Sequence, residues 1–139
     1  MTIAAITVVV VLDPFMLLAL ASDLPVGSLK SCPGVTFVMS DHLLPNDFPV
    51  GAYDELRRII LREQIDLLPA STMVISSILD VPKMKQALLL HQISSIAVAM
   101  QAEAFLASEC PGLRRRAAEV LKPSAVLCKT MLLQQFNLK

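Results

Sequence analysis

The chain opens its ordered pattern with Thr7, four valines and Leu12, an unbroken apolar, β-branched run. Such a run predicts a strand buried on both faces, stopped by Asp13 and Pro14. Phe15 to Ala21 then predicts a helix, with Asp13 or Pro14 at its start. Ser22 to Gly34 carries Pro25, Gly27, Pro33 and Gly34 and reads as a loop. Val35 to Ser40 predicts a second strand closed by Asp41. His42 to Gly51, rich in Pro, Asn, Asp and Gly, predicts a second loop.

Ala52 to Gln64 gives the clearest helical period, with Tyr53, Leu56, Ile59 and Ile60 on one face. Asp54 and Glu55 stand in its first turn, where the helix dipole favours acids. Asp54 and Arg58 have the i, i+4 spacing of a pair, and Arg57, Arg58 and Arg62 read as a solvated face. Ile65 to Leu68 predicts a third strand, ended by Pro69. Val74 to Leu79 starts a helix that Pro82 kinks or restarts. Lys83 to Gln101 continues as a long helical pattern, within which Ile93 to Ala99 also fits a strand. After the break at Cys110-Pro111-Gly112, Leu113 to Ala117 reads as a short basic helix or turn. Ala118 to Leu121 reads as a final strand, and Ser124 as the cap of a last helix from Ala125 to Phe136.

Alternation of this kind predicts one Rossmann-like α/β domain over residues 1–139. Its sheet is open and mostly parallel, with four to five strands, helices on both faces and the first strand central. Composition agrees: 55% of residues are hydrophobic and 17% charged, as a parallel sheet covered on both faces requires. The 12 basic and 12 acidic residues cancel, so charge argues for neither nucleic acid nor an anionic membrane as partner. Aromatics at 4%, without Trp, supply no base-stacking platform. Cys32, Cys110 and Cys128 are too few and too widely spaced for a disulfide framework or a zinc pattern, so they read as free thiols in the cytoplasm. The apolar N-terminus resembles a signal peptide only partly. It has no early Lys or Arg and is interrupted by Asp13-Pro14, so membrane attachment is not expected.

In open α/β sheets, ligands sit beyond the carboxyl ends of the strands. That rule selects Asp13, Asp41, Ser71 and Thr72 as strand-end cleft residues, with Lys122 and Lys129 further along. Neither a G-x-G-x-x-G fingerprint nor a G-x-x-x-x-G-K-[ST] loop is present. His42 reads as a surface histidine and His91 as a half-buried helical one, with no converging metal ligands. No G-x-S-x-G elbow supports a serine nucleophile. Met73, Met84, Met100 and Met131 read as core or interface filler.

Two segments resemble a known family. Gly51-Ala52-Tyr53-Asp54-Glu55-Leu56, followed by Ile59, Glu63, Ile65-Asp66-Leu67-Leu68 and Pro69, is similar to the helix and following strand of the pre-ATP-grasp domain. Leu121 to Thr130 resembles that family's P-S…D-K stretch, with Lys129 at the lysine and Cys128 in place of the acid. Biotin carboxylases and carboxylate–amine ligases share this N-terminal domain. The resemblance implies a substrate-side domain of an ATP-dependent ligase, with Lys129 approaching nucleotide phosphates. ATP and magnesium are then expected only where ATP-grasp lobes follow, and neither cofactor nor catalysis for this chain alone. The implied partner is such a lobe. Otherwise it is a protein, or a second copy of the chain, docked on the apolar Met131, Leu132, Phe136 and Leu138 of the last helix. A free-standing Rossmann-like interaction module, or a small secreted or anchored protein, are the alternatives.

Overall fold

The computed structural model describes residues 7–82 and 88–138. Five parallel strands form one open sheet: β1 (Val8–Leu12), β2 (Val35–Ser40), β3 (Asp66–Leu68), β4 (Phe105–Ala107) and β5 (Val126–Leu127). Their order across the sheet is β3-β2-β1-β4-β5. The four valines of β1 make it the central strand, paired in register with β2 from Val8↔Val35 and with β4 from Val10↔Phe105. A strand in that position must be apolar on both sides, because successive side chains point to opposite faces.

Among the described residues, six helices cover the two faces: α1 (Pro14–Asp23), α2 (Ala52–Arg62), α3 (Thr72–Leu79), α4 (Leu90–Ala102), α5 (Pro111–Ala117) and α6 (Lys129–Gln135). Val10 and Leu12 join Leu17 and Leu20 of α1, Leu56 and Ile59 of α2, and Leu132 of α6 in one apolar cluster. Val11, on the other face, packs with Ile78 of α3, Ile96 and Val98 of α4, and Leu113 of α5. The chain is therefore a three-layer α/β domain of Rossmann-like form.

Three elements differ from the sequence expectation. Ala118 to Leu121 forms turns after α5 rather than a strand; the fifth strand is Val126–Leu127. Phe105–Ala107, a run too short to stand out, is the fourth strand and pairs with β1. Ser124 lies in a short 3-10 turn, Pro123–Ala125, so the last helix starts at Lys129 instead of Ala125. Within the Lys83 to Gln101 pattern, residues 83–87 lie outside the described residues, and Ile93 to Ala99 is helical.

Several side chains also depart from expectation. Arg58 pairs with Glu55, one turn away at i, i+3, rather than with Asp54. Arg57 and Arg58 are exposed as expected. Met73 and Met131 are exposed, not core filler, and Met84 lies outside the described residues. Leu132 is buried and Phe136 packs edge-on against Phe105 at 5.7 Å, so α6 seats on its own sheet. No described helix is long and apolar enough to cross a membrane.

Candidate functional site at the switch point of the sheet

The chain winds from β1 to β2 to β3 in one direction, then crosses over to β4 and β5 on the other side of β1. The connections leaving β1 and β4 diverge at their carboxyl ends, which is where open α/β sheets form a ligand crevice. Asp13 and Ser108 are the first residues past those two strands.

Asp13 stands at the cap position of α1, ahead of Pro14, with φ −63° and ψ 142°. Its carboxylate does not cap the helix. Instead Oδ2 accepts a hydrogen bond from Ser108 Oγ at 3.2 Å, while Oδ1 is buried and has no partner. The residue is 2% exposed. Burial pushes its pKa up from 3.8 to about 6, against the smaller opposing pull of the Ser108 hydroxyl.

Ser108 extends the network. Its Oγ accepts from the Cys110 backbone N–H at 3.1 Å, and its carbonyl accepts from Arg114 Nη1 at 2.8 Å. Cys110 Sγ in turn lies 3.8 Å from Gln92 Nε2, which donates to it, and Gln92 Oε1 accepts from the Leu89 N–H at 2.8 Å. The first turn of α4 is thereby tied to the ends of β1 and β4.

Beside Gln92, His91 is 1% exposed and neither ring nitrogen has a partner. This corrects the half-buried expectation: the apolar face of α4 carries the histidine inward. Burial lowers its pKa, with His42 acting the same way and Asp47 opposing. The His91 ring lies 5.8 Å from Phe48 and 6.2 Å from Phe15. Phe15 and Phe48 are 5.5 Å apart, and Tyr53 is 6.2 Å from Phe48. His42 is half-buried, not a surface residue, and its Nε2 has no partner.

The other residues selected from sequence are spread along the same edge of the sheet. Asp41 is exposed at the end of β2, its N–H bound to the Leu68 carbonyl. Ser71 and Thr72 are exposed beyond the outermost strand β3, where Gln101 holds the Ser71 N–H and the Pro69 carbonyl. Lys129 follows β5 at the opposite margin; its side chain pairs with Asp23 and its N–H with Glu109. Four strand spacings separate the two margins, roughly 19 Å, so these residues do not form one site. Asp13 alone among them sits at the switch point. Among the described residues, no group of three or more His, Cys, Asp and Glu is gathered as a metal site. A cavity of about 540 Å³ lies between Ala99, Glu103, Leu121 and Lys122, and Asp13 does not line it.

No family model matches the sequence, and no curated protein matches it. Among solved structures the chain is similar to PAE2754 from Pyrobaculum aerophilum, with a TM-score of 0.60 and 16% identity over 94% of this chain and 98% of that one. At that identity the likeness shows the fold alone. It supports the Rossmann-like α/β architecture over nearly the full length of both chains.

Ser108, Gln92 and Cys110 were not singled out by sequence reasoning as parts of one site. Ser108 follows a three-residue strand that the periodicity does not reveal. The juxtaposition of Gln92 with Cys110 depends on α4 and β4 meeting in space.

Proposed function

We propose that this chain is a ligand-binding Rossmann-like domain whose site is the switch-point crevice, with Asp13 as its polar anchor. The observation that carries this reading is the unpartnered, buried Oδ1 of Asp13 at the point where the crossovers diverge. Such an oxygen calls for a hydrogen-bond donor, and a ligand O–H or N–H supplies one. In the ligase context that the sequence resemblance implies, this is the substrate-side cleft. Lys129 and following ATP-grasp lobes then serve the nucleotide. A screen of small polar compounds, followed by carboxyl and amide NMR shifts, tests the reading. Binders are expected to move the signals of Asp13, Ser108 and Gln92 and to lose affinity at least tenfold in Asp13→Asn. Binders that map only to the cavity around Glu103 and Lys122, unaffected by Asp13→Asn, overturn it.

A second reading rests on a different observation. Phe15, Leu44, Leu89 and Leu90 are exposed on segments at the carboxyl edge of the sheet. An interaction module would use such apolar side chains against a protein partner. Replacing Leu89 and Leu90 by Ser weakens capture of that partner under this reading and leaves small-molecule binding at Asp13 in place.

A further inference from the structure

Asp13 is a buried carboxylate without a cation. The basic side chain nearest in the network, Arg114, donates to the Ser108 carbonyl and not to Asp13. Ser108 Oγ gives one hydrogen bond to Oδ2 and leaves Oδ1 empty. A group of aromatic rings lies at the same end of the sheet. The whole sequence has only five Phe and one Tyr. Three of these six, Phe15, Phe48 and Tyr53, converge with the His91 ring at this end of the sheet. Phe15 is 42% exposed, a large apolar surface left open two residues from Asp13. A buried, unpaired carboxylate favours a positively charged group, and a phenylalanine open to solvent two residues along the chain favours an apolar body.

Resting on the function proposed above, we infer that the switch-point site takes an organic amine: an ammonium group placed on Asp13 Oδ1, with its apolar or aromatic portion lying on Phe15 and the neighbouring rings. The ammonium supplies the donor that Oδ1 lacks and the charge that the buried carboxylate lacks. The exposed Leu89 and Leu90, at the start of α4 beside His91, extend the apolar surface for a longer body. Because Asp13 is 2% exposed, binding includes a side-chain rearrangement at the rim.

The test compares three probes of one shape: 2-phenylethylamine, 2-phenylethanol and 3-phenylpropionate. Each is titrated by NMR and calorimetry at pH 7.5 against the full chain. The amine is expected to bind at least tenfold tighter than the alcohol, and the carboxylate not at all. Amine affinity should fall as pH drops from 8 to 5 and Asp13 gains its proton. Asp13→Asn should remove the preference while circular dichroism and thermal melting show a folded chain. Phe15→Ala should weaken the amine several-fold through lost ring contact. Equal affinity for amine and alcohol, with both dependent on Asp13, overturns the amine inference and leaves the switch-point site standing. Failure of all three probes to bind, or amine binding unchanged in Asp13→Asn, also overturns it. The wider screen of polar compounds decides separately whether the site binds anything.

Discussion

Two buried carboxylates stand in this molecule, and their surroundings are opposite. Glu63, 3% exposed at the end of α2, closes the loop that precedes β2. Its oxygens accept from the Gly27 N–H at 2.7 Å, the Leu29 N–H at 3.0 Å and Arg62 Nε at 3.0 Å. Burial pushes its pKa up, but the hydrogen bonds from Gly27, Arg62, Leu29 and Lys30 together outweigh that and leave it below the usual value. Asp13 has one hydroxyl partner, an empty oxygen and a raised pKa. A buried charge that is fully hydrogen-bonded holds a fold together. One that is only half satisfied weakens the fold and is kept where something else can complete it.

The comparison breaks first at Glu63. Glu63→Ala strands the Gly27 and Leu29 N–H groups and should cost about 2–4 kcal/mol in urea unfolding. A cost under about 1 kcal/mol would mean that the loop does not depend on this carboxylate. The wild-type contribution is present above the free-carboxyl pKa and is lost as pH falls through the lowered folded value, so acid should loosen this loop.

Asp13 should respond with the opposite sign. Its folded pKa, about 6, exceeds the free value of 3.8, so the folded state holds the proton more tightly and loses stability as pH rises between them. Asp13→Asn should therefore stabilise by on the order of 1–3 kcal/mol above pH 6, and the gain should fade toward pH 3.8. Denaturant melts at pH 4 and pH 8 check this; an equal difference at both would show that the carboxyl is not strained. Ser108→Ala sharpens the same point. It removes the one group that lowers Asp13 and unpairs the Cys110 N–H, so it should cost about 1 kcal/mol and move the Asp13 titration further up in NMR. Lys129→Met is the smallest change. Its pair with Asp23 is partly exposed at the margin of the sheet, and thermal melting should shift by less than about 0.5 kcal/mol equivalent.

Much of the fold was legible because its central strands are apolar on both sides. Val35 to Ser40 matches β2 residue for residue, and Thr7 to Leu12 overruns β1 by one. Legibility failed at the second half, where β4 and β5 have three and two residues and, unlike the equally short β3 with Pro69 just after it, β4 has no proline directly at its end. Strands that short carry no period of their own; β4 exists by pairing with β1, and β5 by pairing in turn with β4. Asp13 was visible as a strand-end acid. Its chemistry was not, since neither the closing of Ser108 onto it nor the emptiness of Oδ1 can be read from spacing. Glu63 was noticed only for its resemblance to a family motif, whereas its work here is to bind backbone amides of a loop 34 and 36 residues earlier.

The central place of β1 also bears on how the chain comes to be folded. Its neighbour β2 follows within 27 residues, as Val8↔Val35 shows, but Val10 must wait for Phe105 to complete its other side. While the polypeptide lengthens from a ribosome, β1, β2 and β3 are available long before β4, and the valine strand has an open flank throughout that interval. Closure over so long a loop is slow, and an uncovered β-branched edge is the kind of surface that pairs with another chain. The same run of valines that makes the finished sheet secure thus makes its unfinished form adhesive, and yield on expression should rise when synthesis is slowed or a chaperone shields the nascent strand.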